Sequence, residues 1–187
     1  SFVGFVLIGT RGVRRIFREL RASRLTYSDG APVVLNQPLA SAEGYHLFLS
    51  HVWRDAQDQA GTIKSALRGL VPSCITFLDV DDLQDIGQLE HYVQSSDVVL
   101  ILATAAYLSS WNCRRELVAA LASTKQLILL LESDPDKGAT NAVQLRAEAD
   151  ALERSGQPAA HCHAAHVLAA LVAFRTPTSE ADGVAKH

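Results

Sequence analysis

Ser50-His-Val-Trp-Arg54 sets a hydroxyl, an imidazole, an indole and a guanidinium directly behind the apolar run Tyr45-His-Leu-Phe-Leu49. Trp53 and Arg54, close to the start of a helix, can stack on a base and pair with a phosphate, because a helix N-terminus offers unpaired backbone N–H groups. Taken singly, each is also what an indole packed over a sheet edge and a solvated arginine would look like. Three further polar clusters follow apolar runs in the same way: Asp79-Val-Asp-Asp-Leu83, Ala103-Thr-Ala-Ala-Tyr107 and Glu132-Ser-Asp134. Asp79, Asp81 and Asp82 are the oxygen donors that Mg²⁺ or Ca²⁺ takes, but EF-hand spacing is absent, and a solvated acidic loop accounts for them. Cys162 and His166 lie four apart beside His161 and His163. No second ligand pair stands elsewhere at a telling spacing, so no metal is assigned. Ser50 and His51 are not a nucleophile and its base, since neighbours on a strand point to opposite faces. There is no glycine-rich phosphate loop, which argues against a kinase or a dinucleotide oxidoreductase.

These clusters need elements to hold them. Tyr45–Ser50, Ile75–Leu78, Asp97–Leu102 and Gln126–Leu131 are short apolar runs of the kind that form buried strands. Helical spacing lies between them. Ile63, Leu67 and Leu70 precede Pro72; Ile86, Leu89, Tyr92 and Val93 follow Asp85 as N-cap; Leu117, Val118 and Leu121 follow a cap at Ser109 or Ser110. Strand and helix thus alternate four times, which predicts an α/β fold with a flavodoxin-like, doubly wound parallel sheet of four to five strands and helices on both faces. In such a sheet ligands collect at the carboxyl ends of the strands, where all four polar clusters fall. Beyond Pro135, Asn141–Arg154 reads as a helix. His161–Phe174 is a second helix or a helix standing where a fifth strand would be. The expected division is a basic amphipathic segment over 1–26, a Gly- and Pro-rich linker over 27–44, the main domain over 45–158, and a C-terminal helix and tail over 159–187 that would complete that domain.

Composition agrees with one globular domain. The chain has 187 residues, 48% hydrophobic and 20% charged, with a formal charge of −3, which excludes a disordered tail and a strongly basic nucleic-acid binder. Cys74, Cys113 and Cys162 are odd in number and far apart, fitting a reducing, cytoplasmic compartment without a disulfide framework. The chain begins at Ser1 rather than Met, as a fragment or a processed form would. Arg11, Arg14, Arg15, Arg18, Arg21 and Arg24 surround an apolar stripe of Val13, Ile16, Phe17 and Leu20. Such a helix could lie on an anionic membrane, but packing on its own domain is the favoured reading. Phe2–Ile8 is too short to span a bilayer and is read as core.

Between Tyr45 and Leu131 the chain resembles the TIR (Toll/interleukin-1 receptor) domain family. Tyr45-His-Leu-Phe-Leu-Ser-His51 is similar to the family's opening strand, and Phe77-Leu-Asp79 with Leu83 and Gly87 to its second strand and BB loop. Asp97-Val-Val-Leu-Ile-Leu102 is similar to its third strand. Tyr107-Leu-Ser-Ser-Trp-Asn-Cys-Arg-Arg-Glu-Leu117 resembles the plant-type stretch of aromatic, Ser, Trp, Cys and Glu-Leu. Two departures stand out: no recognisable final strand and helix follow Leu131, and the BB loop is unusually acidic. The resemblance implies the TIR fold, signalling through homotypic TIR assembly with a homo-oligomer expected, and, in the enzymatic branch, cleavage of NAD⁺ as substrate with no cofactor. It places the catalytic carboxylate at Glu116, with Ser50, Trp53, Arg54, Asp79, Tyr107 and Trp111 as binding residues. Trp53, Tyr107 or Trp111 would stack on nicotinamide or adenine. One carboxylate suffices in principle, because the cationic nicotinamide ring takes the bond electrons, leaves as a neutral molecule and needs no general acid. From position alone, Glu116 would be a surface glutamate pairing with a basic residue a turn away, contributing little to stability.

Overall fold

A computed structural model describes residues 24–41, 44–78 and 86–175. The acidic loop with Asp79, Asp81, Asp82 and Asp85, and the arginine-rich segment up to residue 23, lie outside the described residues.

Four strands form one parallel sheet in the order β2-β1-β3-β4: β1 (Tyr45–Ser50), β2 (Thr76–Phe77), β3 (Ser96–Ala103) and β4 (Gln126–Leu131). They are joined by α1 (Trp53–Leu70), by a 3-10 turn Ile86–Gln88 running into α2 (Leu89–Gln94), and by α3 (Trp111–Ala122). The chain moves one way from β1 to β2 and the other way from β2 through β3 to β4. Right-handed crossovers therefore send α1 to one face and α2 and α3 to the other. The alternation of side chains along each strand agrees. Leu47, Leu49, Leu100 and Leu102 pack with Ala56, Ala60 and Ile63 of α1. Phe48, Val99, Ile101 and Leu129 pack on the opposite face with Leu89, Val93, Cys113 and Leu117. Phe77 stacks between Phe48 and Tyr92, with ring centroids 5.0 and 4.6 Å away. This is the flavodoxin-like order expected from the apolar runs.

After β4, the loop from Glu132 leads to α4 (Ala142–Arg154), capped by Asn141, and to α5 (Ala159–Arg175). The Ala-rich run is a helix; Ala164, Ala165, Leu168, Ala169 and Val172 join the core on the α3 face. No fifth strand occurs among the described residues. Residues 24–41, which hold most of the segment 27–44 read from its glycines and prolines as a linker, are tied to the domain along the amino ends of the strands. Leu25 N–H donates to the Leu70 carbonyl at 2.8 Å, Leu35 N–H to Ser73 Oγ at 2.8 Å, and Leu39 and Ala40 N–H to the Asp97 carboxylate at 3.0 and 2.7 Å. No helix of the described residues is long and apolar enough to cross a membrane.

Candidate functional site

The sheet order reverses between β1 and β3, and the carboxyl ends of those strands open into a crevice there. Ser50 ends β1 on the same face as Phe48, so its hydroxyl points under α3. Ser110 caps α3, its Oγ accepting from Cys113 N–H at 3.3 Å. From that cap, Cys113, Glu116, Leu117 and Ala120 fall on one buried stripe at helical spacing. Glu116 is therefore 1% exposed rather than a surface residue. The adjacent Arg115 pairs bidentately with Glu90 of α2, at 2.6 and 2.7 Å.

Three residues from three segments meet at the carboxylate. Ser50 Oγ lies 2.5 Å from Glu116 Oε2 and 2.6 Å from the Tyr107 hydroxyl. Tyr107 is wholly buried. Burial pushes its phenol well above the usual 10, with the charges of Cys113 and Glu116 adding to the shift and the Ser50 bond opposing it.

Above Glu116 is a cleft of about 380 Å³, lined by His51, Trp53, Arg54, Ser110 and Asn112 among others. That volume lies toward the low end of small-molecule sites, which span roughly 300–1,000 Å³. Trp53 is half exposed, and the exposed Arg54 guanidinium donates to Asp55 at 2.7 Å. His51, not expected to act with Ser50, is buried in the cleft wall, its Nε2 2.7 Å from Gln57 Oε1. Cys113 donates its thiol to the His51 carbonyl at 3.3 Å. Neither residue carries a signal beyond the strand-end position of one and the buried stripe of the other.

The structure thus brings Ser50, Trp53, Arg54 and Glu116 together. It does not bring the other stacking candidates. Tyr107 has no exposed ring face to offer a ligand, because the loop after β3 turns it into the core, and only its hydroxyl reaches the site. Trp111 is absent from the cleft lining: its ring stacks on His161 of α5, centroids 4.5 Å apart, with the Arg114 guanidinium 5.4 Å from the ring centre. Asp79 lies outside the described residues.

The histidines of α5 go separate ways. His161 faces Trp111, where burial and then Arg114 and Arg115 hold its pKa below 6.5. His166 lies 3.3 Å from Glu153, and His163 is exposed. Among the described residues no cluster of His, Cys, Asp and Glu is placed to hold a metal ion. A second buried carboxylate, Glu132 at the end of β4, accepts from Ser133 and Asp134 N–H at 2.8 Å and from Gln59 at 3.2 Å. It secures the loop after β4.

Comparison with curated proteins gives no match. Among solved structures the chain is similar to the TIR domains in the structure of the activated Roq1 resistosome directly recognizing the pathogen effector XopQ. The TM-score is 0.46 and the identity 22%, over 68% of this chain and 84% of that chain. The family model for the TIR domain matches residues 47–155. That stretch is more than half of the chain and runs from β1 through the cleft and the helix bearing Glu116 to the end of α4. The chain belongs to the TIR domain family.

Proposed function

We propose that this TIR domain acts in cytoplasmic signalling by cleaving NAD⁺ to nicotinamide and ADP-ribose or a cyclised form, with Glu116 as the working carboxylate. The supporting observation is a buried carboxylate held by Ser50 beneath a cleft whose rim carries an indole and a guanidinium, Trp53 and Arg54. In the reaction the C1′–N bond of the nicotinamide ribose breaks and its electron pair leaves with the pyridine nitrogen, which becomes neutral. Water adds at C1′ and releases a proton; in the cyclised product an adenine nitrogen takes the place of water. A fixed negative charge beside the ribose stabilises the cationic sugar that forms at the transition state. Trp53 is suited to stack on a ring and Arg54 to meet the pyrophosphate. As the family resemblance implies, a second TIR domain seated on the rim would complete the enclosure of the dinucleotide.

The purified chain should release nicotinamide from NAD⁺, more strongly under crowding that favours assembly. No release at any protein concentration, dilute or crowded, would overturn this reading. A non-catalytic module acting by homotypic TIR assembly is the second reading. It is favoured by the same Ser50–Glu116 bond taken as a tie between β1 and α3. Self-association without nicotinamide release would select it.

A further inference from the structure

Catalysis by Glu116 requires an ionised carboxylate, yet the side chain is almost fully buried, and burial by itself drives a carboxyl group toward its neutral form. Some interaction must favour the charge. Ser50 supplies one bond, at 2.5 Å to Oε2, and Tyr107 meets the same hydroxyl at 2.6 Å. A serine hydroxyl has a single proton. If it donates to Glu116, the phenol must be the donor in the second bond. Resting on the proposed role of Glu116, we infer that Ser50 and Tyr107 are positioning residues forming a one-way chain of hydrogen bonds, phenol to hydroxyl to carboxylate, that keeps Glu116 ionised and aimed at the cleft.

The direction follows from the surroundings of the phenol. Tyr107 is wholly buried, and ionising it would set a second negative charge beside Glu116, so it stays protonated. Among the described residues Ser50 Oγ is the acceptor within reach of the buried phenol proton, and a reversed chain would leave that proton unpaired, so the phenol donates to the serine and the serine proton is left to the carboxylate. Protonating Glu116 on Oε2 would put two protons into one contact. Protonating the other oxygen would leave the short bond with a neutral acceptor, which is weaker. Either way the chain opposes neutralisation. Each donor also polarises the next, so the phenol strengthens a bond it does not make.

Among the described residues, the other ionisable groups around the site lie on α1, α2, α3 and just after β1. Arg115 on α3 feels the charge of Glu116 and pairs with Glu90 of α2. Cys113 lies one turn earlier on α3, His51 follows β1, and Arg54 opens α1. Neither Ser50 nor Tyr107 is bonded to the side chains of these groups, so a change in titration in the folded variants reports the chain of bonds.

The experiment is a carboxyl ¹³C NMR titration of Glu116, assigned with Glu116→Gln, in the parent, Ser50→Ala and Tyr107→Phe, alongside the pH profile of kcat/KM. Ser50→Ala should raise the midpoint by about 1 pH unit, since loss of a bond to the charged form disfavours it. Tyr107→Phe keeps the ring and should raise the midpoint by less. The acid limb of kcat/KM should move with each. Ser50→Thr, which restores the hydroxyl, should return the midpoint to the parent value. Should Ser50→Ala fail to fold, Ser50→Cys keeps the volume, weakens the donor, and should shift the midpoint the same way. Unmoved midpoints in the folded variants overturn the inference, even where nicotinamide release depends on Glu116. Shifted midpoints without any nicotinamide release uphold the hydrogen-bond chain and remove the NAD⁺ reading instead.

Discussion

Glu116→Gln and Glu116→Ala remove the same charge but leave different interiors, and the difference separates what Glu116 does for the fold from what it does for the reaction. Glutamine fills the same volume and keeps an oxygen where Ser50 Oγ now donates at 2.5 Å. That bond drops from a charged acceptor, worth about 1.5–3 kcal/mol, to a neutral one of about 0.5–1.5 kcal/mol. The loss is offset by no longer holding a charge at 1% exposure, a desolvation cost of several kcal/mol for a buried ion. Glu116→Gln should therefore melt no lower than the parent. Alanine strands the Ser50 hydroxyl, at about 1–3 kcal/mol for a buried unsatisfied donor, and opens a hole under α3. Glu116→Ala should fall about 2–4 kcal/mol below Glu116→Gln. For a chain of this size each kcal/mol moves the melting temperature by about 2–4 °C, so the two variants should separate by roughly 5–15 °C in calorimetry. Nicotinamide release should fall by about 10²–10³-fold in both, the scale of losing one preorganised electrostatic group. A fully active Glu116→Gln would refute the catalytic reading. Coincident melting of the two variants would refute the claim that Ser50 and Glu116 are bonded in a packed interior.

Three other outcomes are expected. Gly44→Ala would drive its Cβ into the Ser95 carbonyl oxygen at the start of β1, where Tyr45 N–H pairs with that same oxygen, and should cost about 1–3 kcal/mol in denaturant unfolding. Ser110→Ala should cost about 1 kcal/mol by uncapping α3, which thermal melts will register. Glu148, half-buried on α4, has its carboxyl pushed by burial from 4.5 to about 7. A folded pKa above the unfolded one means the folded state binds more protons between those values, so this group's contribution is full below pH 4.5 and is lost as pH rises through 7. Glu148→Gln should accordingly be neutral near pH 4 and stabilise by about 1 kcal/mol at pH 8, after discounting for solvent screening; equal gains at both pH values would contradict it.

Much of this architecture is written in local pattern. The four strands fall on the apolar runs, because a parallel sheet buries both faces: β1 and β4 coincide with theirs, β3 extends its run by one residue at each end, and β2 keeps only Thr76–Phe77 of Ile75–Leu78. A serine cap before α3 is legible as Ser109 or Ser110, and the structure takes Ser110; the helix from Asn141 is legible too, with Asn141 itself serving as its cap. What pattern does not carry is docking. Glycines and prolines over 27–44 report turns, and nothing in them says that Asn36 O would meet His46 Nε2 at 2.5 Å or that Asp97 would receive Leu39 and Ala40. Aromatic residues at strand ends suggest stacking platforms, but Tyr107 was drawn inward by a turn whose hydrogen bonds involve Thr104 and Ala106. Trp111 was drawn aside by a helix distant in sequence. The burial of Glu116 was within reach: Cys113, Leu117 and Ala120 define a helical stripe, and Glu116 lies on it.

The two walls of the cleft are not anchored alike. The wall bearing Glu116 belongs to α3, which shares its core with α2, α4 and α5. The wall bearing Trp53 and Arg54 is the first turn of α1, whose fully buried apolar residues are two alanines and one isoleucine, Ala56, Ala60 and Ile63. The apolar residues α3 buries, Cys113, Leu117, Ala119 and Ala120, are no larger, but they are enclosed between the sheet and those three helices, whereas in its cluster α1 packs only on strand residues and Leu78, so α1 is held less firmly than α3. Native-state amide exchange should then be graded across the molecule, with the amides of α1 opening at lower free energy than those of α3. The cleft should then breathe through one wall. A ligand bridging Trp53 and Glu116 spends part of its binding free energy on quieting that wall, so its affinity and the protection of α1 are two readings of a single equilibrium.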